Sequence, residues 1–388
     1  MQSSLPLCRE FFEKITAYLD YHDFRLTITA NQPSITLPYY VDEKAHSIEL
    51  IIFKTTFLSL FQEAHTYFNK TFSDQSGISN ENIYYMTVGF LLTTPENKTV
   101  YNVHEDLLKR YFQDNSVLVI PDLLVKEVRL IQRLLCSSNN RINKSSSLWI
   151  LYRKLFVLSL DANTLVLPDI LFVFHSSGSQ HFSNYYCWNT ARWFYDNLPY
   201  NKRIELFNLT KRFCFQNVKD CSSWSALAYM VCQQEEKKTD NIRDFQRLTS
   251  SFNVPFKINK VDLNFQVQPA DAFTQELVKW IDRTYAADWP PYLCLLQITK
   301  FNITLRIEMD SVLLTWRNEI LNFEENSGHI KMINNTPIVP EKFSNDLLTS
   351  VNFAHFGYKK LFLNKFLDKN KKEQSIVRTK KRKTYKKN

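Results

Sequence analysis

The sequence predicts an all-α fold, a right-handed superhelical α-solenoid of helical hairpins, and three observations lead to it. Only 5 glycines occur among 388 residues, whereas tight β-turns rely on glycine. Hydrophobic residues make up 44% of the chain and aromatic residues 14%, which is enough for a large buried core. A short segment centred on an aromatic residue also recurs at intervals typical of stacked helical hairpins.

Composition excludes several classes of function. No two glycines lie close enough to form a phosphate-binding loop, so we expect neither a dinucleotide fingerprint nor a P-loop. The net charge of +9 equals the charge of residues 369–388 alone, which contain ten Lys and Arg and one acid, Glu373. The rest of the chain is therefore neutral, and we expect no nucleic-acid binding by the folded body.

The spacing of the cysteines and the length of the apolar runs predict the cellular compartment of the protein. The 7 cysteines include no C-x-x-C pair, which predicts free thiols in a reducing compartment and no metal site on this chain. Charged residues interrupt the first 14 positions, and no apolar run reaches about 18 residues, so neither a signal peptide nor a membrane span is expected. We expect a cytoplasmic protein, with nuclear import through the basic C-terminal tail as an alternative.

Periodicity and composition predict the elements in order. A helix is predicted over about 5–21, and a long one over about 42–69, where apolar residues recur near a period of 3.6. Three helices follow between 82 and 133, and further helices are predicted at about 270–285, 291–300, 305–323 and 343–366. The predicted domains are N-terminal helices at 1–81, helical repeats at 82–232, an insertion or loop at 233–269, C-terminal helices with degenerate repeats at 270–366, and a disordered basic tail at 367–388.

Five segments share one layout, with a small polar residue four positions before an aromatic residue. The pairs are Asn97 with Tyr101, Ser145 with Trp149, Asn184 with Trp188, Asp220 with Trp224, and Asn352 with Phe356. The polar residue suits a helix N-cap, and the aromatic residue suits packing between neighbouring helices. Three segments also carry a base four residues after the aromatic one, namely Arg153, Arg192 and Lys360.

These segments resemble the repeats of protein prenyltransferase α subunits, whose pattern is roughly Asn-Tyr-x-x-Trp-x-x-Arg-Arg. The best match is Asn184-Tyr185-Tyr186-Cys187-Trp188 with Arg192. The segments around Tyr101 and Trp149 look most like the α-subunit-repeat-containing protein of the third type of protein geranylgeranyltransferase. The resemblance covers about residues 90–232, and 345–362 more weakly.

The resemblance implies a subunit without the catalytic centre. Such α subunits wrap around a β subunit, here of the Rab geranylgeranyltransferase type, and that partner holds the zinc and the isoprenoid pocket. The implied reaction joins geranylgeranyl to a cysteine of a small GTPase or a SNARE, with indirect effects on membrane traffic and cell-wall organisation. Ser183 stands where farnesyl-type subunits place a lysine, which argues against a farnesyl-type role.

The resemblance also supplies candidate residues. Asn184, Tyr185 and Arg192 are the substrate-facing candidates, although a cap or a buried hydrogen bond suits Asn184 better, and a link between repeats suits Arg192 better. No residue of this chain is assigned a catalytic role. The structural repeat residues are predicted to be Tyr101, Trp149, Arg153, Trp188, Trp224, Phe356 and Lys360. The alternative function is a non-catalytic α-solenoid scaffold that binds another protein.

Overall fold

The computed structural model describes residues 5–17, 23–30, 37–44, 47–73, 79–114, 117–118, 120, 122–161, 169–232, 235–254, 267–302, 305 and 309–384. Most of these residues are helical, so the predicted helical class is confirmed. The chain divides into two compact units. Unit 1 comprises Met1–Leu209 and Lys237–Leu263, and unit 2 comprises Thr210–Glu236 and Asn264–Asn388.

Unit 1 begins with a helix and a small sheet. Helix α1 (Pro6–Ala17) precedes strands β1 (Asp23–Thr29), β2 (Tyr39–Lys44) and β3 (Ser47–Phe53). The strand order is β1-β3-β2, with β1 parallel and β2 antiparallel to the central β3. In β3, Ile48, Leu50 and Ile52 are buried while the residues between them are partly exposed, so one face of the sheet covers the core.

This sheet corrects the helix predicted over about 42–69, because helix α2 extends only from Lys54 to Ser73. The apolar spacing of 50, 53, 57 and 60 fits a helical period, but Ile48, Leu50 and Ile52 fit the period of two that a strand requires. The β-branched isoleucines favour the strand, and pairing on both sides of β3 then decides the conformation.

Helices α1, α2 and α3 (Asn80–Thr93) pack closely. The Glu63 carboxylate on α2 accepts hydrogen bonds from the backbone N–H groups of Leu7 (3.0 Å) and Cys8 (2.8 Å), which otherwise lack partners in the first turn of α1. A Cβ atom on Gly89 of α3 would lie 2.6 Å from Cys8 Sγ and 2.9 Å from Ala64 Cβ. Glycine at this position therefore sets how closely α3 approaches its neighbours.

Further helices complete unit 1. They are α4 (Lys98–Gln113), α5 (Leu123–Leu135), the short α6 (Asn140–Asn143), α7 (Ser146–Asp161), α8 (Ile170–Gln180), α9 (Tyr185–Asn197) and the first part of α10 (Tyr200–Gln216). The three helices predicted between 82 and 133 are confirmed as α3, α4 and α5.

Part of the predicted insertion is a helix. After α11 (Cys221–Cys232), α12 comprises Glu235–Ser251, and most of it belongs to unit 1. Trp193 Nε1 on α9 donates to Asp244 Oδ2 (3.0 Å), and Asn241 Nδ2 donates to Asp196 Oδ2 (2.6 Å). Because α12 buries only a narrow stripe that includes Phe245, its polar composition concealed the helix. Residues 255–266 of the predicted insertion lie outside the described residues.

Unit 2 contains α11, α13 (Ala270–Thr284), α14 (Trp289–Phe301), α15 (Asp310–Ser327), a hairpin of β4 (Lys331–Ile333) and β5 (Thr336–Ile338), and α16 (Leu347–Thr384). The turn of the hairpin has positive φ at Asn334 (49°) and Asn335 (63°). Asparagine tolerates this left-handed conformation, so the hairpin forms without the glycine that the sequence analysis required for turns.

The interior of unit 2 contains a buried cation. Lys359 on α16 is 2% exposed and forms ion pairs with Asp282 Oδ1 (2.7 Å) and Glu319 Oε2 (2.6 Å). Its Nζ also lies 5.1 Å from the centroid of the Trp316 ring. Trp316 Nε1 in turn donates to Asp282 Oδ1 (3.0 Å), so one carboxylate joins three helices of the unit.

The backbone of the last helix extends to Thr384, within the basic segment. Helices in the described ranges are all too short or too polar to cross a lipid bilayer. The 7 cysteines are free thiols, and burial raises the pKa of Cys232 to about 12.

Gly357→Ala is expected to destabilise unit 2. An added Cβ would lie 2.4 Å from Pro337 Cβ, and the proline ring on β5 cannot rotate away. Such overpacking costs about 1–3 kcal/mol, whereas the same substitution at an unobstructed helical site stabilises by about 0.5–1 kcal/mol. Denaturant unfolding of Gly357→Ala beside Asn364→Ala, an exposed site on the same helix, measures the effect. A Gly357→Ala variant as stable as the wild type would contradict the close helix–hairpin contact.

Candidate functional site

Four of the five recurring segments begin a helix, as their spacing predicted, because the polar residue accepts a hydrogen bond from the backbone N–H three residues on. The pairs are Asn97 with Val100 (3.2 Å), Ser145 with Leu148 (3.2 Å), Asn184 with Cys187 (3.3 Å) and Asp220 with Ser223 (2.9 Å). The fifth prediction is wrong, because Asn352 lies inside α16, several residues after its start.

The aromatic residue of each segment packs inside its unit. Trp149, Trp188 and Trp224 are at most 1% exposed, and Tyr101 is 8% exposed. Phe356 is half-buried and stacks on Phe323 with ring centroids 4.6 Å apart. These five side chains are thus packing residues of the two units.

Two of the three bases that follow the aromatic residues link neighbouring helices. Arg153 Nη2 on α7 donates to Thr190 Oγ1 on α9 (3.1 Å), and burial lowers the pKa of Arg153 to about 10. Lys360 Nζ on α16 forms an ion pair with Glu324 on α15 (2.7 Å). Arg192 is half-buried on α9.

The segment around Tyr101 has Glu105 in place of the base, and the link is formed with the charges reversed. Lys154 Nζ on α7 lies 2.5 Å from Glu105 Oε2 on α4 and 3.2 Å from the Tyr101 hydroxyl. A cation and an acceptor therefore connect consecutive repeat helices here as well, although the base comes from the next segment.

Asn184 does not suit the substrate-facing role. Its side chain is fully buried, and its amide donates to Asn143 Oδ1 and to Ser177 Oγ (3.2 Å) while its oxygen caps α9. Every polar group of the side chain is therefore used inside the protein. Tyr185, in contrast, is 58% exposed and accessible to a partner.

A groove of about 490 Å³ forms where the starts of α4, α7 and α9 come together in unit 1. We call it the helix-start groove. Its lining residues are Thr93, Thr94, Pro95, Glu96, Asn97, Asn140, Arg141, Lys144, Ser145, Ser146 and Tyr186. Three recurring segments that are distant in sequence thus contribute to one surface.

Glu96 occupies the positive end of α7 in this groove. Its carboxylate accepts hydrogen bonds from Ser145 Oγ (2.5 Å), Ser146 Oγ (2.9 Å) and the Ser147 backbone N–H (3.2 Å). Partial burial alone would raise the pKa of Glu96, but these hydrogen bonds outweigh it and lower the pKa. The chain itself therefore supplies the anion that a helix start attracts.

Three exposed aromatic residues stand beside the groove, and we call them the α9 aromatic patch. Phe182 is 60% exposed, Tyr185 58% and Tyr186 41%. Lys144 Nζ donates to the Phe182 carbonyl (3.2 Å), and Arg141 is exposed on the groove wall. Exposed aromatic rings with adjacent bases are typical of protein-binding surfaces.

The sequence analysis missed Glu96, Asn143 and Phe182. Phe182 carried a usable signal, since a large aromatic residue in a polar loop is commonly exposed. Glu96 contacts Ser145 across 49 residues and Asn143 contacts Asn184 across 41 residues, and no local pattern reports such contacts.

One buried polar network has the residue types of a catalytic triad. Thr87 Oγ1 lies 2.8 Å from His104 Nδ1, His104 Nε2 lies 2.9 Å from Glu127 Oε1, and the Tyr84 hydroxyl donates to Glu127 Oε2 (2.5 Å). All four side chains are 0% exposed, so no substrate reaches them. Burial raises the pKa of Tyr84, which keeps its hydroxyl a donor. The network joins α3, α4 and α5.

No group of three His, Cys, Asp or Glu residues is positioned to hold a metal ion in the described part of the chain. His181, one of the histidines among these residues, is half-buried, and its Nε2 lies 3.2 Å from the Ser137 carbonyl.

Trp188→Ala is expected to lower the free energy of unfolding by about 3–5 kcal/mol, because it removes a fully buried indole. The neighbouring Tyr185→Ala variant serves as a control and is expected to stay within about 0.5 kcal/mol of the wild type, because its ring is 58% exposed. Denaturant unfolding compares the two. Equal losses would contradict the assignment of Trp188 to packing and Tyr185 to the surface.

Glu96→Gln is expected to lower stability at neutral pH by less than about 1 kcal/mol, because the residue as a whole is largely exposed and solvent screens its charge. The folded-state pKa of Glu96 is lowered, so its contribution is complete above the ordinary glutamate pKa of about 4.3 and disappears as the pH falls through the folded-state pKa. Unfolding of the variant and the wild type from pH 7 to pH 3 should therefore converge. Glu236→Gln, at an exposed glutamate on α12, is the control.

Comparison with protein families gives three matches that follow one another along the chain. The ECM9 N-terminal domain matches residues 1–136, the ECM9 middle domain residues 148–252, and the ECM9 C-terminal domain residues 270–375. The middle domain therefore includes α12, and the C-terminal domain includes α15 and the part of α16 up to residue 375. None of the three descriptions mentions prenyltransferase repeats. With all three domains of one family in order over most of its length, the chain belongs to the ECM9 family.

Proposed function

We propose that this chain is a non-catalytic helical-repeat subunit of a protein geranylgeranyltransferase complex. The observation that supports the proposal is the helix-start groove. The starts of α4, α7 and α9, the three helices with the best repeat segments, form one surface with the α9 aromatic patch beside it. That surface combines exposed aromatic rings with the bases Arg141 and Lys144, which suits the binding of a protein partner.

The proposed partner is a β subunit of the Rab geranylgeranyltransferase type. In this proposal the partner supplies the zinc and the isoprenoid pocket, and the acceptor is a cysteine of a small GTPase or a SNARE. In this proposal the residues of this chain bind the partner and position the acceptor. Tyr185 remains the substrate-facing candidate, and Arg192 accompanies it, whereas Asn184 holds the start of α9 in place. The complex would work in the cytoplasm and affect membrane traffic and, in a walled cell, cell-wall organisation indirectly.

The second candidate function is a non-catalytic scaffold that binds another protein through the same surface. One observation favours it. The Glu96 carboxylate already accepts hydrogen bonds from Ser145 and Ser147 at the start of α7, so few donors at that helix end remain for a diphosphate.

Co-expression of the full chain with a Rab-type β subunit from the same cell tests the proposal. We expect a stoichiometric complex that transfers geranylgeranyl to a cysteine protein. The double variant Tyr185→Ala with Tyr186→Ala should reduce co-purification about tenfold or more, because exposed aromatic residues dominate such interfaces. Tyr40→Ala, which removes a tyrosine that is 48% exposed on β2, is the matched control.

The outcomes separate the two candidates. A folded chain that binds no prenyltransferase β subunit excludes the transferase role and leaves the scaffold. If the double variant forms the complex equally well, the interface does not include the α9 aromatic patch.

A further inference from the structure

Arg153 on α7 is a cation with few partners inside unit 1. Its Nη2 donates one hydrogen bond, to the neutral hydroxyl of Thr190 (3.1 Å). Its Nε is buried without a hydrogen-bond partner in the described part of the chain, and its Nη1 forms no hydrogen bond with a described residue. A guanidinium carries five N–H donors. The residues that the structure describes therefore use only one donor of this partly buried group.

Asp244 on α12 does not serve as the counter-ion of Arg153. Its Oδ1 pairs with Arg247 (2.7 Å) and its Oδ2 accepts the hydrogen bond from Trp193 Nε1 (3.0 Å), so both oxygens are bound elsewhere. The charge of Asp244 acts on Arg153 only from beyond ion-pair distance. Because burial lowers the pKa of Arg153 no further than to about 10, the guanidinium stays charged at neutral pH.

Exposed apolar side chains surround this cation. Ile150 stands three residues before Arg153 on α7, so the two share one side of the helix, and Ile150 is 45% exposed. Tyr185 is 58% exposed, and its hydroxyl is close enough to act on the charge of Arg153. The guanidinium carbon lies 5.5 Å from the centroid of the Trp193 ring. A partly buried arginine among tyrosine, tryptophan and exposed apolar side chains is typical of the residues that dominate protein interfaces.

A single carboxylate suits this cation better than a phosphate group does. The two ends of a guanidinium fork match the two oxygens of a carboxylate in a pair of parallel hydrogen bonds. A phosphate is usually bound by several cations together. Lys154, the next residue on α7, is already paired with Glu105 (2.5 Å), and Arg192, seven residues after Tyr185 on α9, has an interaction of its own. The site therefore offers one uncompensated positive charge, that of Arg153.

We propose that Arg153 binds an Asp or Glu side chain of the protein partner that covers the α9 aromatic patch, with Ile150 and Tyr185 packed around the ion pair. These apolar side chains exclude water from the pair once the partner is bound, which strengthens the attraction between the two charges. The inference rests on the part of the proposed function that both candidates share, a protein partner at this surface. It adds the chemistry of one contact and does not depend on which protein the partner is.

Denaturant unfolding of the free chain gives the first test. Arg153→Met keeps the length of the side chain and removes a charge that has no counter-ion in contact, so the unfolding equilibrium constant should stay within about threefold of the wild type. Lys154→Met is the matched control on the same helix. It removes the ion pair with Glu105 and the hydrogen bond to Tyr101, so it should raise that constant about tenfold. Equal losses in the two variants would make Arg153 a structural link and overturn the proposal.

Short random peptides displayed on phage test the chemistry of the contact. Peptides are selected on the full chain, and those that no longer bind Tyr185→Ala are kept. Each should contain an Asp or Glu whose change to Asn or Gln weakens binding to the wild type about tenfold. On Arg153→Met the same change in the peptide should have no effect, which is how a double-mutant cycle identifies a direct pair. Arg110→Met, at an exposed arginine on α4, is the control and should bind the peptides as the wild type does.

Several results would overturn the proposal. They are a selection that yields no peptide dependent on Arg153, and selected peptides that bind without a carboxylate. Calorimetric binding of inorganic pyrophosphate that Arg153→Met abolishes, without carboxylate-dependent peptides, would assign the site to a phosphate group.

Co-purification with the Rab-type β subunit separates this inference from the proposed function. If the β subunit binds the wild type and Arg153→Met equally well, the inference fails and the proposed function stands. If no β subunit binds, while the selected peptides require both their carboxylate and Arg153, the transferase role fails and the inference stands.

Discussion

A spacing of four residues between a capping side chain and a buried aromatic residue sets where each repeat helix begins and which side of it faces the core. Asn97, Ser145, Asn184 and Asp220 fix where each helix begins, because each accepts an N–H of the first turn. One turn later an aromatic side chain enters the core. The cap contributes about 1 kcal/mol and the buried tryptophan several times more, so the two together fix both the start and the rotation of the helix.

Cations then join the helices that the caps and aromatic residues have placed. Arg153 reaches Thr190, Lys154 reaches Glu105, and Lys360 reaches Glu324. In each link a long side chain crosses from one helix to a neighbour. In two of them the cation also lies near an aromatic ring, Arg153 5.5 Å from the centroid of Trp193 and Lys154 5.2 Å from that of Tyr101. At Glu105 a side-chain link between neighbouring helices is kept, although the base lies on the other helix of the pair.

Polar groups that are suited to chemistry are used for structure in both units. The network of Thr87, His104 and Glu127 lies under α3, α4 and α5 with no access for substrate. Lys359 likewise satisfies two carboxylates inside unit 2. Both units also expose large apolar side chains, among them the rings of the α9 aromatic patch in unit 1 and Leu314 and Leu321 in unit 2. Exposed aromatic rings beside bases, as in the α9 aromatic patch, suit a protein partner.

Sequence alone determined the features that depend on contacts within one turn of helix. It predicted α3, α4 and α5, four of the caps, and the burial of Trp149 and Trp188, because periodicity and capping are local. Only the tertiary structure decided the β1-β3-β2 sheet, the polar helix α12, and the burial of Asn184 against Asn143. Each of these depends on a partner that is distant in the chain, and the free energy gained by that contact overrides or adds to a weak local preference.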